Sequence, residues 1–283
     1  MQHYPLITIV GGSGFVGRHT VKLLASAGYR IRVLVRDTVA AEFLKTCATV
    51  GQIAIEHADI TRPETLVGKF AGSDAVVSLV SILYESGRQK FDAINIAGAK
   101  AVAMEAKKAG AKAFIHVSAL GIEHTKDTRY GATKLAGEAA VREVFSYATI
   151  LRPSLIIGPE DGFFQRFGSM SMIAPALPLI AGGHTQFQPV TVENVSEAIL
   201  VAATTDVAGK TFELAGPKTY SMKALLQLML SLTGRKKCLI SIPAPIASLM
   251  GLVSEMLPLP RYLWANAIPV PSGTCAPTMP WPP

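Results

Sequence analysis

Short, near-continuous apolar runs recur through the first 160 residues, at 6–10, 30–36, 53–59, 74–81, 113–118 and 148–157. Runs of this length without strict alternation are the pattern of strands covered on both faces, as in a parallel sheet. Between them lie stretches with helical spacing: Val16, Thr20, Val21 and Leu24 after the first run, then 63–70, 91–109 and 130 to about 145. Strand and helix alternate throughout, so the sequence predicts an α/β fold built on a Rossmann-type, doubly wound parallel sheet. Pro153, inside the sixth run, marks a bend and a missing ladder donor.

Beyond residue 160 the alternation weakens. A helix is predicted over 191–204, a strand over 211–215, and a helix over 222–232 capped by Ser221. Residues 167–192 contain no Asp, Glu, Lys or Arg, and Pro175, Pro178, Gly182 and Gly183 interrupt them too often for a transmembrane helix. The stretch 243–257 is apolar, with Glu255 its single charge, and is too short to span a bilayer. The final 26 residues hold 8 of the 18 prolines together with Trp264 and Trp281, and read as an extended tail. The expected organisation is a doubly wound domain over 1–160, to which some later strands and helices return. A smaller C-terminal α+β lobe on the substrate or partner side follows over 161–257, and a Pro-rich tail over 258–283.

A chain of 283 residues with 49% hydrophobic content can bury a large core. Cys47, Cys238 and Cys275 are odd in number, far apart and outside metal-ligand spacing, which points to a reducing compartment with neither a disulfide framework nor a metal site. The N-terminus runs into the first strand without a signal segment, so a cytoplasmic location is expected. The net charge of +7 divides into +5 over 1–160 (19 basic against 14 acidic residues) and +2 over the remainder (8 against 6). Its only clusters are Lys107-Lys108 and Arg235-Lys236-Lys237, without aromatic interleaving, which argues against nucleic acid. Peripheral contact with an anionic membrane is compatible with this balance.

The chemistry concentrates at two places. At the first, Gly11, Gly14 and Gly17 follow the first strand at intervals of three and open a helix. That is the turn that cradles a dinucleotide pyrophosphate, with backbone N–H groups and the helix dipole facing the anion. Gly12, Ser13, Phe15, Val16 and Arg18 complete the expected cradle. The second strand ends at Arg36, where a cation selects a 2′-phosphate, so NADP(H) is preferred; Asp37 keeps NAD(H) open. Asp59 and Ile60 are expected beside the adenine, and Leu79, Val80, Pro153 and Ser154 along the remaining strand ends.

At the second place, Ser118 ends the fifth strand and Tyr130 precedes Lys134 by four residues. That spacing sets the two side chains on one helix face, ~6 Å apart along the axis. A nearby ammonium favours the phenolate, so Lys134 is expected to lower the Tyr130 pKa and hold the nicotinamide ribose while Ser118 polarises a carbonyl.

Taken together, residues 11–19, Val35-Arg36, 91–95, 116–121, Tyr130 with Lys134, 151–154 and 157–164 resemble the short-chain dehydrogenase/reductase superfamily in its atypical or extended form. More narrowly they resemble the nucleotide-binding accessory subunits of respiratory complex I and their bacterial relatives, over residues 5 to about 257. The resemblance implies a Rossmann domain with a small C-terminal lobe and tightly held NADPH. It also implies partnership with respiratory complex I or a quinone-related membrane assembly, peripheral on the inner face of a respiratory membrane. The loop from Ser78 to Ser81 departs from the asparagine-rich signature of active members, and the tail after Pro258 from the usual C-terminal segment. The expectation is therefore an NADP(H)-binding protein of the accessory-subunit type, slow or silent as an enzyme. The alternative is an active NAD(P)H-dependent reductase, epimerase or dehydratase using Ser118, Tyr130 and Lys134 on a small carbonyl or hydroxyl substrate.

Overall fold

The computed structural model describes residues 5–243. The apolar stretch predicted over 243–257, Pro243 apart, and the Pro-rich tail 258–283 with Trp264 and Trp281 lie outside the described residues.

In chain order come β1 (Leu6–Val10), α1 (Phe15–Ser26), β2 (Arg30–Val35), β3 (Ile53–His57) and β4 (Ala75–Ser78). They are followed by α2 (Ala99–Lys108), β5 (Ala113–Val117), α3 (Arg129–Val144) and β6 (Thr149–Pro153). The later elements are β7 (Ile156–Ile157), α4 (Gly162–Ile173), β8 (Ala176–Ile180), β9 (Gln186–Phe187), β10 (Val190–Thr191) and α5 (Val192–Thr204). Last are β11 (Thr211–Leu214), β12 (Tyr220–Ser221), α6 (Met222–Leu232) and β13 (Cys238–Ile242).

Seven strands form one sheet in the order β11-β6-β5-β4-β1-β2-β3, and every pairing in it is parallel. All five residues of β1 are buried, which explains why its sequence is apolar without alternation. The two-residue period nevertheless divides the core. Ile7, Ile9, Val33, Val77, Ile115 and Leu151 face α1 and α5, meeting Val21, Leu24, Val195 and Ile199. Val10, Leu34, Val76, Phe114 and Ile150 face α2 and α3, meeting Val102, Ala106, Val141 and Phe145. Each such side chain contributes about 1.5–3 kcal/mol by leaving water. The chain reverses direction across the sheet between β1 and β4, which opens a crevice at the carboxyl ends of these strands.

Several elements differ from the sequence expectation. Only one 3-10 turn, Pro63–Leu66, forms where a helix over 63–70 is predicted. The helix over 91–109 divides into a π-helix, Asp92–Gly98, and α2. The sixth strand stops at Pro153, and Ile156–Ile157 instead pairs with β10 away from the large sheet. After leaving the large layer, the chain returns to it with α5 and β11, the latter pairing with β6 from Thr211 to Leu214. The smaller lobe holds the parallel pair β8–β13 and the antiparallel pair β9–β12, with a core of Leu177, Leu179, Leu226, Met229 and Leu230.

Candidate functional site

The β1–α1 turn is built from glycine for two separate steric reasons. Gly11 has φ +84°, and its N–H donates to the Leu34 carbonyl at 2.9 Å, tying the turn to β2. A Cβ on Gly17 would lie 2.6 Å from the Gly11 carbonyl oxygen and from Gly12 backbone atoms, so helix and turn touch only because no side chain intervenes. Val80 packs against Gly11, where an added Cβ would lie 2.9 Å from Val80 Cγ2, and Leu79 N–H donates to the Val10 carbonyl at 3.0 Å. Leu79 and Val80 thus lie directly against the glycine turn, at the end of β4. Gly14 occupies the cap position of α1 and offers no side-chain hydrogen bond to the helix amides. The tight turn and the uncapped start of α1 have the backbone shape that the glycine spacing predicts.

At the β2 end, Arg36 is exposed and its carbonyl accepts from the His57 ring at 2.9 Å. Burial pushes the Asp59 carboxyl up, but hydrogen bonds from the Thr61 hydroxyl and backbone, with the charges of Arg36 and Arg62, more than offset it and hold Asp59 below its ordinary value. Ile60 is buried and packs against Gly98 rather than lining an open surface. Arg18 pairs with Glu160 at 2.7 Å and lies 5.0 Å from the centroid of the Phe43 ring, in the segment after β2. Asp37 accepts the Ala40 N–H at 2.9 Å.

The other end of the crevice holds the titratable groups. Ser118 is buried at the end of β5, its N–H donates to the Leu151 carbonyl at 2.7 Å, and its Oγ has no hydrogen-bond partner. Lys134 is 2% exposed, and its Nζ donates to the Val117 carbonyl at 3.1 Å, which places the ammonium on the peptide leading into Ser118. Burial pushes Lys134 down to about 8, against the opposing charge of Glu138. Tyr130 is half-buried, its ring 6.0 Å from that of Phe91, and its hydroxyl bonds to Ser81. Burial pushes the phenol up to about 12, and the Ser81 hydrogen bond offsets only part of that rise.

Here the sequence expectation fails: Tyr130 is not tuned downward by Lys134. Equal spacing on one helix face does not make the two heads meet, because the ammonium turns toward the end of β5 while the phenol turns toward Ser81. Pro153 and Ser154 are engaged by backbone, the Pro153 carbonyl accepting from Leu120 N–H at 2.9 Å and Ser154 N–H donating to the Leu214 carbonyl at 2.8 Å. A cavity of about 410 Å³ opens among Ile7, Ala75, Lys112 and Tyr147, at the opposite, amino edge of the sheet, and holds none of these groups.

The sequence profile of the NAD dependent epimerase/dehydratase family matches residues 7–215, which take in the glycine turn, Ser118, Tyr130 and Lys134. The chain belongs to this family. Among curated relatives, it is 32% identical over 268 residues to the mitochondrial NADH dehydrogenase [ubiquinone] 1 alpha subcomplex subunit 9 of Arabidopsis thaliana. That match covers 93% of this chain and 65% of the relative, so the chain spans a little under two thirds of the subunit's length. It is also 30% identical to a ceramide reductase of Caulobacter vibrioides, covering 85% of this chain and 74% of that one. Among solved structures, a dTDP-glucose 4,6-dehydratase of Streptomyces venezuelae with NAD bound superposes with a TM-score of 0.71 at 20% identity, covering 84% of both chains. These matches establish an NAD(P)-binding fold.

Two residues beside Tyr130 escape the sequence reading as site residues. Asn95 lies 3% exposed in the π-helix, donates to Thr133 Oγ1 at 3.2 Å and accepts from Ser81 at 3.5 Å. Ser81 thereby joins Tyr130 to Asn95. The signal for Asn95 was its place in the motif from Phe91 to Asn95, whereas Ser81 sits in a loop with no distinguishing pattern. Among the described residues no cluster of His, Cys, Asp or Glu is arranged to hold a metal ion, and no helix is long and apolar enough to cross a membrane.

Proposed function

We propose that this protein binds NADP(H) in the manner of the complex I accessory subunits it resembles, with a respiratory-chain or quinone-linked role, and is slow or silent as an enzyme. The similarity to a complex I subunit over 93% of the chain supports the partnership with respiratory complex I or a quinone-related membrane assembly, met peripherally on the inner face of the membrane. One observation carries the silent half of this reading: the Tyr130 phenol is pushed up to about 12 while the Lys134 ammonium is engaged by the Val117 carbonyl. A phenol held that high is a weak proton shuttle at neutral pH.

The residues present fit the cofactor. Gly11 and Gly17 leave a backbone cradle that a Cβ would fill, and the buried Ser118 Oγ has a hydrogen bond to spare at the far end. In this assignment Gly12, Ser13, Phe15 and Val16 complete the pyrophosphate cradle. Arg36 and Arg18 hold the 2′-phosphate, Asp59 flanks the adenine, and Leu79, Val80, Pro153 and Ser154 line the crevice. Lys134 holds the nicotinamide ribose. NADP(H) released on denaturing the purified protein, and co-fractionation with respiratory membrane subunits in a gentle extract, are the expected results. A protein that carries no nicotinamide nucleotide and takes none up in titration refutes the reading.

A second reading, an active reductase, is favoured by the unpartnered Ser118 Oγ and by the similarity to a ceramide reductase. When bound, the nicotinamide would supply the hydride. Ser118 would donate a hydrogen bond to the substrate carbonyl, Tyr130 would deliver the proton through its hydroxyl, and Ser81 would hold that hydroxyl in place. Replacing Tyr130 with Phe is then expected to lower turnover by ~100-fold or more while leaving nucleotide affinity unchanged. Turnover that survives the substitution removes Tyr130 from the chemistry.

A further inference from the structure

An ion pair spans the glycine turn. Arg18, in the first turn of α1, sets its guanidinium 2.7 Å from Glu160 Oε2, donates to the Ser13 carbonyl at 3.4 Å, and lies 5.0 Å from the centroid of the Phe43 ring. Three segments converge on one cation: the turn itself, the segment after β2 and the loop leading to α4. Arg18 Nε is buried without a hydrogen-bond partner, so the pairing with Glu160 leaves part of the guanidinium's donor set unused.

The loop that carries Glu160 is built to present it. Glu160 has φ +70°, a left-handed conformation that a residue with a Cβ adopts only at a cost. On one side of it, Gly158 fits against Val192 and Phe15, where a Cβ would lie 2.6 Å from Val192 Cγ1. On the other, the buried Asp161 accepts the Phe164 N–H at 2.6 Å and the Gly158 N–H at 3.3 Å, capping α4 and closing the loop. Glu160 is thus fixed with its carboxylate on Arg18, beside the cradle proposed for the dinucleotide.

We propose that Glu160 is a selectivity-setting residue, its carboxylate competing with the 2′-phosphate of NADP(H) for the Arg18 guanidinium. A 2′-phosphate carries a charge near −2 at neutral pH and binds guanidinium through two parallel hydrogen bonds. To do so at Arg18 it must displace or share with the carboxylate. NAD(H) presents a neutral 2′-hydroxyl and meets no such competition. Glu160 therefore narrows the preference for NADP(H) over NAD(H) that Arg18 and Arg36 create. This inference rests on the dinucleotide-binding reading above.

The test is titration of the purified protein with NADPH and with NADH, in wild type, Glu160→Gln, Arg18→Gln and the double variant. Glu160→Gln is expected to tighten NADPH about three- to fivefold, the size of an exposed ion pair, while NADH affinity stays the same. Arg18→Gln is expected to weaken NADPH, and adding Glu160→Gln to it is expected to change nothing further. An unchanged NADPH-to-NADH ratio in Glu160→Gln, or the same tightening with Arg18 absent, overturns the inference and leaves dinucleotide binding standing. Failure of the wild type to bind either nucleotide overturns both.

Discussion

His116 shows how one side chain sets a pH limit. It is 2% exposed on β5, and burial, with a smaller contribution from the Lys134 charge, pushes its imidazole from 6.5 down to about 3. In the unfolded chain the ring takes up a proton near 6.5, whereas the folded protein refuses it until about 3, so acid favours unfolding throughout that interval. The loss approaches about 1.4 kcal/mol per pH unit once the unfolded imidazole is charged. The lowered carboxyls of Asp59 and Glu123 add to the loss only at lower pH, near and below their ordinary values of 3.8 and 4.5. Urea unfolding between pH 7 and 5 is therefore expected to show stability falling with acid in the wild type and a flatter profile in His116→Gln. Equal slopes in the two proteins would contradict this account. Lys134 has the same depressed direction at the basic end: its buried ammonium costs stability at neutral pH, and the cost is relieved as pH rises from about 8 to 10.5.

Helix α3 is held against β6 by a buried pair. Arg152 donates from Nε and Nη2 to the two oxygens of Glu138 at 3.0 and 2.8 Å, and from Nη1 to Glu123 at 2.7 Å. These bonds, Glu138's first, hold the guanidinium above its ordinary pKa. The Glu138 side chain is 3% exposed, so Glu138→Ala leaves Nε and Nη2 of the buried Arg152 without their acceptors while Glu123 keeps its bond, and is expected to cost about 3 kcal/mol, read as a lowered midpoint in chemical denaturation. The same substitution removes the charge that supports Lys134 one turn earlier, and so is expected to lower the Lys134 pKa further.

None of this pairing was legible in sequence, where Glu138 and Arg152 are unremarkable members of a helix and a strand. What was legible follows from burial on both faces: the runs at Leu6, Arg30 and Ala113 are short and bounded by turns, as buried strands are, and their alternation with helices gives the doubly wound sheet. The π-helix was invisible because its apolar spacing over Asp92–Gly98 blends into that of α2. Glycine positions gave the tight β1–α1 turn, since steric demand leaves a mark in composition. The direction taken by the Lys134 head left none, because either a phenol or a carbonyl satisfies an ammonium at that spacing.

Although Gly158 opens the smaller lobe, the large sheet is not complete until β11, and α5 covers the face of the core that Val21 and Leu24 share with Val195 and Ile199. Thr20 and Ser196 also hydrogen bond there at 3.2 Å. A chain cut after residue 160 loses this cover and exposes the edge of β6. It is expected to show no cooperative thermal transition by circular dichroism or calorimetry, whereas a sharp transition would mean that the first six strands suffice.

The chain passes between sheet and lobe at three points, after β6, at β10 and after β11, and these passages lie side by side. Ile156 pairs with Val190, the Val190 N–H donates to the Leu155 carbonyl at 3.0 Å, and the Gln188 side chain donates to the Gly216 carbonyl. A Cβ on Gly216 would fall 1.9 Å from the Pro189 carbonyl, so the third passage is pressed directly against the second. Mechanically this is the spine of a book. Twisting or sliding of the lobe would break the backbone bonds that hold these passages together.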